Sequence, residues 1–259
     1  MLVAKAMKSL EQKITKGDDI NPYQSRSLID GDTSSAVFAK RTDRLWASWG
    51  IIHLHLTDEP IIQGNFFSKR SDYQVFGLVD NQNFVFLDLR RHPTGEEYSD
   101  PELLDIIAED WPQFFSQFEL NGITPEKQKR TASDIHQLRK WGIGSPVTIR
   151  GKAHIEPGFG LTSAGTSLKV QMLLMQARQG IRELGELVEL DPQFTQAAAD
   201  IGVLHPTFGL TIGEPGLVVA EEKSGLGFNL HTPTLPRVSA LKEVFPAWAT
   251  KRLLSGTLN

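Results

Sequence analysis

Apolar residues at Val3, Met7, Leu10 and Ile14 recur at helical spacing with lysines on the other side, which predicts an amphipathic helix over Leu2–Ile14 stopped by Lys16-Gly17. From Asp18 to Asp43 that periodicity gives way to Asp, Ser and Gly, the composition of a long loop or of one short strand. Alternation then takes over in Trp49–Leu56 (WGIIHLHL). It predicts a central strand with Ile51, His53 and His55 on one face and Ile52, Leu54 and Leu56 on the other. Tyr73–Val79, the polar turn Asp80–Asn83 and Phe84–Leu89 read as a hairpin. The same alternation assigns Phe84, Phe86, Asp88, Arg90 and His92 to one face of its second strand. Pro101–Trp111 carries Pro in its first turn and points Leu103, Leu104, Ile107 and Trp111 inward. Ser133–Trp141 repeats a shorter helical pattern with Ile135, Leu138 and Trp141 as its apolar side.

Around Gly142–Pro146 the pattern restarts. Val147–Ile155 reads as a strand, and Ser167–Glu189 as a long helix weakened by Gly180 and Gly185. Phe208–Ile212 and Leu217–Glu221 flank Glu214-Pro215-Gly216, whose Pro-Gly suits a type II turn. Ser239–Leu254 reads as a closing helix interrupted at Pro246. These elements predict an α+β protein. An antiparallel sheet with flanking helices is expected in residues 1–144, and a second, smaller α+β unit of unknown role in 145–259.

A chain of 259 residues can bury the core of one large domain or two modest ones. Its 27 Lys+Arg against 31 Asp+Glu, a net charge of −4, exclude a uniformly basic coat for nucleic acid but leave a local basic cleft open. The lack of cysteine excludes disulfides, zinc ribbons, thiol nucleophiles and iron–sulfur clusters, and no cofactor is expected. It also suits a reducing cytoplasm. No apolar run reaches membrane-spanning length, and Met1–Leu10 lacks the apolar middle of a signal peptide, so the expectation is a cytoplasmic chain without a membrane partner.

The chemistry concentrates in the first half. His53 and His55, two residues apart on a strand, project from the same face. Buried imidazoles need partners, so the pair marks either a polar site cut into the sheet or two histidines each satisfied within a mixed core. Arg90, Arg91 and His92 leave the end of the next strand, and Lys69 and Arg70 open the hairpin. The His-x-His pair with Asp88 or His92 is also the donor set of an open hydrolytic metal site, although no His-Glu-x-x-His spacing accompanies it. Gly160–Ser167 (GLTSAGTS) approaches a phosphate-binding loop, but Thr166 stands where its lysine would be, and a helix cap explains the segment more simply. Glu221-Glu222-Lys223 has the E-x-K spacing of metal-dependent nucleases but, without a placed upstream aspartate, reads as a charged strand end. Lys127, Lys129, Arg130, Arg139 and Lys140 could follow a phosphate backbone, with a solvated helix face the favoured reading.

Taken together, Asn21-Pro22, Leu45-Trp46, the strand WGIIHLHL, and Arg70–Asp80 (RSDYQVFGLVD) followed by a strand ending in Arg90-Arg91-His92 resemble the sheet of RelE/ParE-type toxins. The resemblance spans about the first hundred residues. It implies a RelE-like sheet and metal-independent cleavage of RNA, since nucleolytic members cut messenger RNA on the ribosome with Arg, Lys, His, Glu or Tyr side chains. Arg70 would match the arginine entering the hairpin, and Arg91, His92 and Tyr98 the terminal tail, while His53 and His55 would be acid/base groups of this chain's own. The catalytic candidates are therefore His53, His55, Arg70, Arg91 and His92, with Lys69, Arg90 and Tyr98 as substrate contacts, no metal, and RNA as partner. Two alternatives stand beside this reading. One is a non-catalytic, toxin-like binding or defence protein with a protein inhibitor or target, for which Trp46, Trp49, Phe66 and Phe67 would supply a surface. The other is a metal-dependent hydrolase built on His53 and His55.

Overall fold

The computed structural model of the chain describes residues 2–29, 42–80, 82–93, 95–213 and 216–229. It combines helices with antiparallel sheets, an α+β architecture, and divides into two compact units, Met1–Lys169 and Val170–Asn259. The 144/145 division expected from the sequence falls inside the first unit. No helix among the described residues is long and apolar enough to cross a membrane.

In the first unit, helix α1 (Leu2–Lys16) is followed by a 3-10 turn at Asn21–Tyr23, a short helix α2 (Arg26–Ile29) and α3 (Arg44–Trp49). The segment read as a loop thus holds short helical pieces, with residues 30–41 outside the described set. Trp49 ends α3 and does not open a strand. Asp43 caps α3 by accepting from the Trp46 N–H, and Gly50, at φ 73°, closes it in the left-handed conformation that glycine adopts without strain.

Strands β1 (Ile52–His55), β2 (Tyr73–Val79) and β3 (Phe84–Arg91) form one antiparallel sheet in the order β1-β2-β3. Among the described residues β1 is therefore an edge strand and not the central one, its other side met by an isolated bridge from Gln24 to Leu54. One face of the sheet carries Ile52, Leu54, Leu56 and Val75 against Ala6 and Leu10 of α1. The other carries Phe76 and Leu87 into a second core with Leu45, Trp49 and Ile51. That core also takes Leu103, Leu104 and Ile107 of α4 (Glu102–Asp110) and Phe115 of α5 (Pro112–Ser116).

The pairing register slips between Phe76 and Gly77: Phe76 faces Asp88, Gly77 faces Phe86, and Leu87 is the extra residue of a β-bulge. The bulge reverses the alternation of β3. Phe84 packs with Leu89 on the α1 side, Val85 and Leu87 enter the opposite core, and Phe86 is exposed. The single face expected to run from Phe84 through Phe86 to His92 is thereby corrected, because a period of two breaks at an inserted residue.

Helix α6 (Ala132–Lys140) begins with a reciprocal capping box between Thr131 and Asp134. Its buried side is Ile135 and Arg139, four residues apart, while Trp141, expected inside, is 67% exposed. The stretch Val147–Ile155 is a hairpin of β4 (Val147–Ile149) and β5 (Lys152–His154). It reverses at Arg150 and Gly151, whose φ values of 49° and 74° are the positive pair a tight two-residue turn demands. The following loop docks on α3: the Gly158 N–H donates to the Ser48 carbonyl at 2.8 Å and the Gly160 N–H to that of Ala47 at 2.9 Å.

The second unit holds most of the long helix α7 (Leu168–Leu190), then α8 (Pro192–Asp200) and a sheet of β6 (Phe208–Gly213), β7 (Gly216–Glu221) and β8 (Gly227–Asn229). Leu184, Val188 and Val219 form its core with the mutually packed rings of Phe194, Phe208 and Phe228. Glu221 is a buried carboxylate that accepts from the backbone of Thr207, Lys223 and Ser224 and from the Ser224 hydroxyl, which holds its pKa below the usual range. It organises a turn and is not a free strand-end charge. The turn residues Glu214 and Pro215, and the helix expected at Ser239–Leu254, lie outside the described residues.

Two glycines should respond in opposite senses to alanine. A Cβ on Gly158 would lie 2.4 Å from the Ala47 carbonyl oxygen and 2.5 Å from that of Trp46, whereas one on Gly185 of α7 meets nothing within 4 Å. Gly158→Ala is expected to lower the urea midpoint by the equivalent of about 1–3 kcal/mol. Gly185→Ala is expected to raise stability by roughly 0.5–1 kcal/mol through the helix entropy it restores.

Candidate functional site

A cleft of about 630 Å³ opens in the first unit, within the size range of small-ligand sites. Its floor is the face of the sheet that bears the histidines. His53 and His55 stand on β1. Gln74 stands opposite His55 in β2, and Phe76 opposite His53. Tyr98, from the 3-10 turn Gly95–Ser99, lies over this face with its ring 5.0 Å from that of His53, and its hydroxyl donates to Gln74 Oε1 at 2.9 Å. His92 follows β3 and stacks on His55 at 5.5 Å. Its Nδ1 donates to the Pro93 carbonyl at 3.1 Å.

Each ionisable group is tuned by what surrounds it. His53 is almost fully buried, and desolvation holds its imidazole below the ordinary range against the pull of Asp43, whose Oδ2 lies 3.5 Å from His53 Nδ1. That separation is an ion-pair distance, and no hydrogen bond forms across it. Burial, with His53, His92, Arg70 and Arg26 adding positive charge, depresses His55 to about 4. Burial pushes the Tyr98 phenol up to about 12. At neutral pH His55 is therefore an uncharged base and Tyr98 a phenol that keeps its proton.

Arg139 closes the inner wall. Its guanidinium stacks 4.0 Å from the Trp49 ring centroid, and Nη1 donates to the Tyr98 carbonyl at 2.9 Å and to Ser99 Oγ at 3.1 Å. Burial lowers its pKa to about 10, with Glu156 and Asp43 working against the shift. Glu156 and Arg139 also line a small inner cavity of about 40 Å³. Burial raises the Glu156 carboxyl to about 7, opposed by Arg139 and Arg130.

Of the residues singled out in the sequence, His53, His55, Arg70, His92 and Tyr98 line this cleft. Arg90, Arg91 and Lys69 do not. Arg90 is held by Asp88, Asp100 and Glu102 at 2.6 to 3.0 Å, because its side chain lies over the strand end that meets α4. Arg91 is exposed on the strand opposite Tyr73, and Lys69 pairs with Glu59 at 2.9 Å. The metal-site donor Asp88 is engaged with Arg90, and among the described residues no group of three or more His, Asp or Glu is placed to hold a metal ion. The expected basic face is also redistributed: Lys129 pairs with Asp105, Arg130 with Glu126 and Ser145, and Arg139 is buried. Of the aromatic candidates, Trp49 is fully buried, Trp46 packs toward the α1 side, Phe66 is exposed and Phe67 lines the cleft under Arg26.

Sequence reasoning missed Arg26, Asp43, Arg44, Gln74 and His136 and named Arg139 only within a basic helix face; all six line the cleft. Two of them left a legible signal. Asp43 precedes a helical turn as an N-cap should, and Arg139 falls one helical repeat after Ile135 on a core-facing side. Comparison of the chain with models of known families, with curated proteins and with solved structures finds no significant match.

The buried carboxyl of Glu156 has a stability consequence. Its folded-state pKa, about 7, lies above the ordinary 4.5, so the folded chain holds this proton more tightly than the unfolded chain. The stability it contributes is complete below pH 4.5 and is lost as pH rises through 7. In urea unfolding across that window, the wild type is expected to lose stability relative to the permanently neutral Glu156→Gln variant. A difference that stays flat with pH contradicts this assignment.

Proposed function

We propose that the cleft binds and cleaves an RNA phosphodiester without a metal ion. The observation that carries this reading is the charge of the lining. Among the described lining residues, four arginines (Arg26, Arg44, Arg70, Arg139) stand with four histidines (His53, His55, His92, His136) and one carboxylate, Asp43, in a chain whose net charge is −4. A concentration of cations against the sign of the whole molecule favours an anionic substrate, and guanidinium forks match phosphate oxygens.

In this mechanism His55, neutral in the free cleft, takes the proton of a ribose 2′-hydroxyl. The 2′-oxygen attacks phosphorus, the bond to the 5′-oxygen breaks, and the leaving oxygen takes a proton from His92 Nε2. The products are a 2′,3′-cyclic phosphate and a 5′-hydroxyl. Arg70 and Arg26, close enough to depress His55, would face the negative charge that grows on the phosphoryl oxygens. A bound phosphate offsets the same positive neighbours, so substrate itself would lift the part of the His55 depression that those charges add to burial. The likeness of the sheet segments to RelE/ParE-type toxins supports the same reaction class.

The test is incubation of the protein with single-stranded RNA in excess chelator. Cutting that persists, yields cyclic phosphate ends, and falls by about 10²–10⁴-fold in His55→Ala is the expected result. Cutting that appears only when a divalent metal is restored overturns the metal-free mechanism. Binding without cutting in either condition reassigns the cleft to an anion-recognition module.

A further inference from the structure

Among the described residues, seven buried side-chain polar atoms have no hydrogen-bond partner, and six of them belong to residues that line the cleft. Chance would scatter such atoms, because each is costly wherever it falls. Their collection around one cleft, with Gln74 Nε2 and two Arg139 nitrogens as donors among them, suits a ligand that brings acceptors.

Two of these residues hold donors in fixed orientation. Gln74 is fully buried and lies opposite His55 across the β1–β2 ladder, so its side chain leaves the sheet on the imidazole face. The Tyr98 hydroxyl donates to Gln74 Oε1, which makes Nε2 the free end of the amide. Arg139 is braced by the same residue from its backbone: Nη1 is taken up by the Tyr98 carbonyl and Ser99 Oγ, the plane is set by Trp49, and Nε and Nη2 remain without partners. We infer that the cleft is a subsite for a phosphoryl oxyanion, whose oxygens accept from Gln74 Nε2, opposite His55 in the sheet, and from the Arg139 guanidinium of the inner wall. The inference rests on the phosphodiester reading of the same cleft and assigns its scissile or neighbouring phosphate to this subsite. Two guanidinium groups, Arg139 and Arg70, in one cleft with the Gln74 amide suit a doubly charged phosphate better than a singly charged carboxylate.

Inorganic phosphate is the direct probe, titrated calorimetrically into the full chain with acetate as the control. Phosphate is expected to bind and acetate to bind far more weakly. Gln74→Met, which removes the amide donor, should weaken phosphate by about tenfold to a hundredfold, the scale of one hydrogen bond to a charged group. If that variant fails to fold by circular dichroism, Gln74→Glu serves instead: its carboxylate still accepts from Tyr98 but repels the anion. Competition with an all-deoxy oligonucleotide, which has no 2′-hydroxyl and is not cut, separates a nucleic-acid phosphate from free phosphate as the natural occupant. Equal phosphate affinity in the wild type and in a folded Gln74 variant, or acetate binding as well as phosphate, overturns the subsite. RNA cutting that depends on His55 while phosphate ignores Gln74 retires the subsite alone. Phosphate binding that depends on Gln74 in a protein that cuts no RNA retires the nuclease alone.

Discussion

Burying both faces of one short strand is the constraint on which the first unit turns. Ile52, Leu54 and Leu56 of the β1 segment meet α1, and burial of those side chains is worth on the order of 1.5–3 kcal/mol each. Register then leaves no choice about the other face, since a shift of one residue would drive the imidazoles into the α1 core. His53 and His55 are therefore carried to the inner side with Gln74 beside them. What the unit places there follows from their polarity: a carboxylate from the cap of α3, a tyrosine from a 3-10 turn, and an arginine from α6. A purely apolar cover would have left two buried imidazoles facing hydrocarbon.

That requirement explains why elements distant in sequence share single residues. Asp43 starts α3 with one oxygen, accepting from Trp46, and faces His53 with the other. Tyr98 binds Gln74 through its hydroxyl and Arg139 through its carbonyl. Trp49 fills the apolar core and also supplies the surface on which Arg139 lies. Because each of these residues serves packing and polarity together, the cleft is held by the fold's own core, and its donors are presented by rigid elements.

The alternation of β1, the β2–β3 hairpin and the apolar faces of α1 and α4 were legible because local period and tertiary burial agree there. Legibility ended where one residue altered the count or a long-range partner replaced an apolar one. Leu87 inserted into β3 reverses all assignments before it, and nothing in the run FVFLDLRR marks the insertion. Arg139 looked like part of a solvated face because its burial depends on Trp49 and Tyr98, respectively 90 and 41 positions earlier, which a local window does not contain. Arg90 erred in the other direction: its three carboxylate partners include Asp100 and Glu102, which arrive only when α4 folds back on the strand end. Of the candidates that line the cleft, His53, His55 and His92 are set by strand parity or by position at a strand's end, while Arg70 and Tyr98 were named from the family resemblance.

Electrostatics completes the argument from fold to chemistry. A cleft whose cations were neutralised by paired carboxylates would be a structural network, as at Arg90, where Asp88, Asp100 and Glu102 surround one guanidinium. Around His55 the arrangement is opposite: burial first, and then four positive or potentially positive neighbours, disfavour its protonation. A folded chain has no stability reason to gather like charges, since their mutual repulsion raises its free energy. The gathering is intelligible when a second molecule supplies the missing negative charge. An anion entering the cleft would relieve the repulsion among the cations and lift the part of the His55 depression that those charges cause, with the part due to burial remaining. The same contacts that bind the ligand would thus prepare the base that acts on it.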